Sequence, residues 1–246
     1  MSGSQWIPVE GASDLPPARL ERVISLGQIS TPDLAPAQRE GPQAYLVAQG
    51  SATDPLSVHF HTVDQFQYFA HGSGVVGSHE VRHGTVHYSD ALTPYGPLRP
   101  GETGMSYLTL RAVHDGGVRY MPQSKAELSE LLDRSDRRAG DRRNVTVELA
   151  RPVEPGRWHH LREEPDGLRI SVVDLPPGTE AAPLTIGPGG AYAVVVAGVL
   201  AAAGSRFEPG ALRWLGDAEV LEVDGGAEGV QIAVLQYPGR VAALAG

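Results

Sequence analysis

Apolar and polar residues alternate in short runs along most of this chain, and only one stretch changes to a helical period. Runs at 44–48, 57–61, 65–69, 74–77, 85–88 and 105–113 follow one another closely. Segments of turn composition stand between them, beginning at His71 (His-Gly-Ser-Gly), Arg82 (Arg-His-Gly) and Arg99 (Arg-Pro-Gly-Glu). Many short strands at intervals of roughly 8–12 residues predict an all-β sandwich or barrel.

The period changes between residues 122 and 143. Leu128, Leu131 and Leu132 share one face of a predicted helix over 125–133, with Ser124 as N-cap and Glu127 completing a capping box. A polar linker follows, in which Arg134 to Arg143 alternate with acidic residues. A second β series then runs through 145–149, 168–173, 192–200, 218–223 and 230–237. The likeness of the two series predicts an internal duplication. The chain is accordingly expected to divide into an N-terminal arm (1–41), a first barrel (42–121), a helix and linker (122–144) and a second barrel (145–246). Within the arm, residues 6–9 predict a short strand and 18–26 a turn or two of helix.

The 246 residues carry a formal net charge of −9, with a pI near 5.4. Such a surface repels phosphate backbones and anionic lipid, so the expected partner is a small molecule, with no nucleic acid and no membrane. The absence of cysteine excludes disulfides, thiolate nucleophiles and cysteine-based metal sites. The first residues lack the signal-peptide pattern, and no apolar run reaches the ~18 residues of a membrane span. A cytoplasmic enzyme or binding protein is expected.

Seven of the nine histidines lie between His59 and His114. His59 and His61 are one residue apart in a predicted strand, so both imidazoles face the same side. Gln65 opens the next strand and Gly72 follows it. This His-x-His-x3-Gln-x6-Gly pattern resembles the first motif of the cupin superfamily, whose usual form has Glu where this chain has Gln65. The segment 87–97 also resembles a stretch of bacterial cupins.

The resemblance implies two consecutive jelly-roll, cupin-type antiparallel β-barrels joined by a helix-containing linker. It also makes His59, His61 and Gln65 candidate ligands for a divalent metal (iron, manganese, nickel or zinc), which two neutral imidazoles suit. The histidine of the second cupin motif, counted from Gly84, falls on Tyr95. His87, on a neighbouring strand, is placed to complete the set. A second reading stands beside the metal: His59, His61 and Gln65 form a hydrogen-bonded polar pocket that orients a ligand.

His59, His61, Tyr95 and His87 are thus the candidate catalytic residues, with Tyr68, Tyr107 and Arg111 as candidate substrate contacts. Asp64 is a possible loop base or a turn former. Anchoring Gly198 on Gly72 places Thr185, Gly187 and Ala191 where His59, His61 and Gln65 stand, so the second barrel is expected to lack the site. The Gly72-Ser-Gly-Val-Val-Gly77 spelling of a dinucleotide fingerprint has no helix after it and is set aside. The resemblance implies a homodimeric enzyme of dioxygenase, isomerase or lyase type acting on a small organic molecule. The alternative is a non-catalytic or metal-free small-molecule-binding cupin.

Overall fold

The structure, a computed structural model, describes residues 5–9, 20–24, 41–52, 55–135, 142–149 and 154–239. They form two compact units: one takes in 20–23 and 41–146, the other 5–9, 24 and 147–239.

The first unit contains β1 (Leu20–Ile24), β2 (Gln43–Gln49), β3 (His59–Phe60), β4 (Gln65–Val76), β5 (His79–Arg82), β6 (Thr85–Ser89), β7 (Leu98–Arg111), β8 (Arg119–Tyr120), α1 (Lys125–Asp133) and β9 (Asn144–Glu148). Its main sheet runs β1-β2-β7-β4-β6-β9, with β5 on β4, and β3 and β8 form a short separate ladder. The run at 145–149, expected to open the second barrel, lies in β9 at the edge of this sheet. Residues 20–24, expected within a short helix, form a strand beside β2. A turn or two of helix is marginal alone, and pairing with an existing sheet outweighs it; the other positions of 18–26 lie outside the described residues.

Two expected turns are absent. β4 and β7 run straight through His71 to Gly74 and through Arg99 to Glu102 as paired strands, with bulges between Phe69 and His71 and between Gly72 and Gly74. The glycines serve close backbone approach. A Cβ on Gly72 would sit 2.1 Å from the carbonyl oxygen of Gly104, and Gly72 has φ +71°.

α1 forms where the leucine period places it, and Leu128, Leu131 and Leu132 pack with Phe60, Leu92 and Met121. The expected capping box does not form. Ser124 makes no side-chain cap bond, and Glu127 instead accepts from Arg119 Nε at 2.6 Å.

The second unit contains β10 (His159–Glu163), β11 (Arg169–Leu175), β12 (Leu184–Thr185), β13 (Ala191–Gly198), β14 (Leu200–Ala202), β15 (Ser205–Phe207), β16 (Leu212–Leu215), β17 (Val220–Leu221) and β18 (Val230–Gln236). The main sheet runs β10-β11-β18-β13-β16, with two short ladders, β12-β17 and β14-β15. Ile7, in the expected strand at 6–9, pairs with Leu212 on β16.

The internal geometry of the two units coincides. Gly198 has φ +72°, and its Cβ would lie 2.2 Å from the carbonyl oxygen of Gly229, as Gly72 meets Gly104. The register follows: Gln65 faces Arg111 across β4–β7, and Ala191 faces Gln236 across β13–β18. A bulge falls at matching points, Phe69/His71 and Val195/Ala197.

Candidate functional site

Strand parity builds the site. On β4, Gln65 and Gln67 point into the first barrel, while Phe66 and Tyr68 point the other way, Phe66 packing on Tyr88 with ring centroids 4.8 Å apart. On β7 the inward set is Tyr107, Thr109 and Arg111. His59 pairs with Tyr95 through two backbone bonds of 3.1 and 3.0 Å, which sets their rings side by side. The loop leading to Tyr95 is anchored by Asp90, which accepts from Tyr88 Oη (2.7 Å), Arg143 N (2.7 Å) and Arg143 Nε (3.0 Å).

These side chains enclose a cavity of about 290 Å³ that also touches Tyr45, Asp115 and Tyr120. Six predicted residues meet there: His59, His61, Gln65, Tyr95, Tyr107 and Arg111. His87 is buried just behind, its ring 5.3 Å from that of Tyr95 and its Nδ1 2.9 Å from Thr146 Oγ1. Tyr68, expected to contact substrate, does not reach the cavity. It is buried in the core on the opposite face of β4, because an even step from Phe66 keeps it there. Asp64 caps the loop by accepting from Ala91 N at 2.8 Å.

One directed chain of hydrogen bonds crosses the centre. Arg111 Nε donates to Gln65 Oε1 (2.9 Å), and Gln65 Nε2 donates to the hydroxyl of Tyr95 (2.6 Å). His59 Nδ1 donates to the carbonyl of Ser57 (2.7 Å), which fixes the tautomer and leaves Nε2 to accept from Tyr95 Oη–H (3.0 Å). Gln is required at 65 because this position must both accept and donate; an ionised Glu would only accept. Burial pushes the Tyr95 phenol above its ordinary pKa, so it stays a neutral donor.

A second pair lies alongside. Asp115 receives His61 Nδ1–H (2.7 Å), Thr62 N (3.1 Å), Thr62 Oγ1 (3.0 Å) and Gly117 N (3.1 Å). Burial alone would raise its pKa, but the bond from His61, the charge of Arg111 and the Thr62 amide hold it well below the usual carboxylate range. Burial, then the neighbouring Arg111, lowers the pKa of His61. A neutral imidazole with its Nδ1 proton on a carboxylate keeps its lone pair on Nε2, which Arg111 Nη2 faces at 3.5 Å. Nothing in the spacing of the sequence singled out Asp115, which reaches His61 only through the closure of the barrel.

The donor set does not fit a divalent metal as arranged. His59 Nε2 is engaged by Tyr95, the oxygen of Gln65 is engaged by Arg111, and the guanidinium lies 3.5 Å from His61 Nε2. A fixed cation at that distance opposes a second one. Among the described residues, no three His, Asp or Glu side chains are grouped to hold an ion.

The second barrel has no counterpart. Where the first has Gln65, Gln67, Tyr107 and Thr109, matched registers give Ala191, Ala193, Ile232 and Val234, all within one apolar core, and the partner of Thr185 that matches Tyr95 is the exposed Val220. At the position of Arg111 stands Gln236, whose Oε1 accepts from Gly187 N (2.9 Å) and Arg169 Nη2 (2.8 Å). A larger open groove, about 900 Å³, runs between residues 5–8 and 200–207. Its Arg206 and Arg213 are paired with Glu228 and Glu219.

No family profile matches the chain, and no curated protein does. Solved structures do. A variant of Bacillus subtilis oxalate decarboxylase superposes with a TM-score of 0.57 at 14% identity, over 98% of this chain and 79% of that one. The nickel(II) complex of the bacterial pirin YhhW from Escherichia coli gives 0.55 at 10% identity, over 96% of each chain. Mn(II) centres are described in the B. subtilis enzyme. The fold is therefore that of the bicupins, two cupin barrels in one chain; at these identities the likeness speaks for the fold alone. No described helix is long and apolar enough to cross a membrane.

Proposed function

We propose that the first barrel binds a small organic molecule without a metal, and that His61 moves a proton on it. The observation that carries this reading is the buried His61–Asp115 pair at 2.7 Å on the cavity wall. Asp115 holds the Nδ1 proton and supports the imidazolium that forms when Nε2 takes a proton from a C–H next to a carbonyl. Arg111, 9% exposed on the same wall, offsets the negative charge that develops on the substrate oxygen. Return of the proton to a neighbouring carbon is an isomerisation; loss of a leaving group from that carbon is an elimination. The fixed chain from Arg111 to His59 keeps the pocket rigid around this step, and the second barrel supports the fold without chemistry of its own.

The test is metal content. Tag-free protein is incubated with Mn²⁺, Fe²⁺, Ni²⁺ or Zn²⁺, dialysed and analysed by plasma mass spectrometry, wild type beside His61→Ala. The expected result is substoichiometric metal in both. Stoichiometric metal in the wild type that disappears in His61→Ala would overturn the reading.

A further inference from the structure

The walls of the first-barrel cavity invert the usual order of a protein surface. Among the described lining residues, the half-buried and exposed ones are Tyr45, Leu56, Gly117, Val118 and Tyr120, and none carries a charge. The buried ones include His59, His61, Gln65, Tyr95 and Arg111. Polar side chains ordinarily face water and apolar ones the interior, so an apolar collar over a polar floor is the reverse of what solvent alone would select. Val118 is the extreme case, at 42% exposure one of two large apolar side chains left open among the described residues. Its place is fixed from both sides. Asp115 is bound to His61 (2.7 Å), and Arg119 donates to the Gly117 carbonyl through Nη1 (2.8 Å) and to Glu127 through Nε (2.6 Å). The collar stands directly on the floor. The Arg111 guanidinium lies 5.3 Å from the centre of the Tyr45 ring, and the Tyr120 ring lies 5.9 Å from that of His59. The floor is accessible where proton transfer is proposed, the side chains of His61 and Arg111 being 8% and 11% exposed. In the second barrel the matched register puts Ser171 in the place of Tyr45.

We infer that the collar binds the apolar body of the ligand, and that the substrate of this barrel is a carbonyl compound with an uncharged hydrocarbon tail. The inference rests on the metal-free proton-transfer reading above and names its substrate class. The carbonyl end reaches the floor beside His61 and Arg111, and the tail leaves along Tyr45 and Tyr120 towards Leu56 and Val118. Covering these four side chains takes apolar area out of water, which favours binding. A charged tail gives up its own water against the same surface and gains less.

The probes are acetone, methyl ethyl ketone, methyl propyl ketone and methyl butyl ketone, with levulinate as a ketone of similar length and charged tail. They are titrated into the ¹⁵N-labelled full chain and followed by NMR. Each added methylene is expected to tighten binding about two- to fourfold, the upper figure being the ~0.8 kcal/mol of a fully buried methylene. The shifts should centre on the amides of Gly117, Val118 and Tyr120, and levulinate should bind more weakly than methyl butyl ketone. Val118→Ser, at an exposed position, should flatten the series. Equal affinities along the wild-type series, levulinate binding as tightly as methyl butyl ketone, or no binding by any ketone would overturn the inference. So would shifts centred on Trp6 and Phe207, which line the open groove of the other unit. Collar amides that move when ligand-free protein is diluted would also overturn it, marking an interface between copies of the chain. The wild-type series decides the matter even if the variant does not fold. Metal content is read separately on the same samples. A flat series in metal-free protein removes the ligand class and leaves the metal-free reading standing, whereas a rising series with stoichiometric metal removes that reading and keeps the collar.

Discussion

The hydroxyl of Tyr95 donates to Nε2 of His59 across 3.0 Å, and this bond occupies the nitrogen that a metal would need. Three further residues depend on it. Gln65 holds the phenol oxygen, Arg111 holds Gln65, and the backbone carbonyl of Ser57 fixes the His59 tautomer. The chain is directional throughout, each group donating to the next or accepting from the last. A pocket whose atoms are committed in this way is rigid, which suits a site that must orient a small ligand.

Replacing Tyr95 by histidine should convert the site. The substitution removes the phenol from His59 Nε2 and sets a third imidazole beside His59 and His61, whose rings are 5.3 Å apart. Three neutral imidazoles suit zinc or nickel. Tyr95→His is expected to take up Zn²⁺ at least about tenfold more tightly than the wild type by equilibrium dialysis, a gain of about 1.4 kcal/mol. Equal uptake by the two proteins would show that the phenol is not what excludes the ion.

Asp115→Asn tests the proton-transfer pair. The carboxylate accepts from His61, two groups of Thr62 and Gly117, and lies 3.9 Å from Arg111. Removing one partner of a buried charge pair costs about 3–5 kcal/mol, so the urea midpoint should fall clearly. The His61 pKa, which Asp115 raises against the effects of burial and Arg111, should drop further below its wild-type value in an NMR titration. An unchanged His61 titration would separate the two residues.

Much of this site was legible along the chain because strand parity is simple. His59 and His61 share a face, Gln65 opens the next strand, and Arg111 ends the long one, so all four converge on the cavity. The same parity excludes Tyr68: three steps from Gln65 turn it to the other face. Asp115 was not legible, since its place beside His61 arises from a loop that closes across 54 residues. The glycines misled for a related reason. A glycine that permits close backbone approach within a bulged pair has the same local composition as one that makes a turn, and only the partner strand tells them apart.

Those glycines yield a third expectation. Alanine at Gly72 or Gly198 would place Cβ 2.1 or 2.2 Å from a backbone carbonyl oxygen, at φ +71° or +72°. Backbone cannot move aside cheaply, so each substitution should destabilise its unit by more than the ~1–2 kcal/mol of the left-handed conformation alone. Gly84→Ala is the control, with φ +83° but nothing within 4 Å of its Cβ. Denaturant curves that rank Gly84→Ala with the other two would contradict the matched geometry of the barrels.

Stability should fall as the pH drops from about 6.5 towards 4, and His87 should cause part of the fall. Burial, the largest cause, with His79 and His59 nearby, pushes the folded His87 pKa down to about 4, against an ordinary value of 6.5. Between these values the unfolded chain binds a proton that the folded protein refuses, so unfolding becomes easier as pH decreases. The stabilisation is complete above 6.5 and lost by the time the folded residue titrates; the difference amounts to roughly 3 kcal/mol. His61, also lowered, acts in the same direction. Asp115 does not confuse the reading, because its depressed pKa places its own loss at lower pH. His87→Gln can keep the bond to Thr146 without the titration, so urea midpoints measured across this window should fall less steeply in the variant than in the wild type. Parallel curves for the two proteins would mean that His87 is not held neutral by its surroundings.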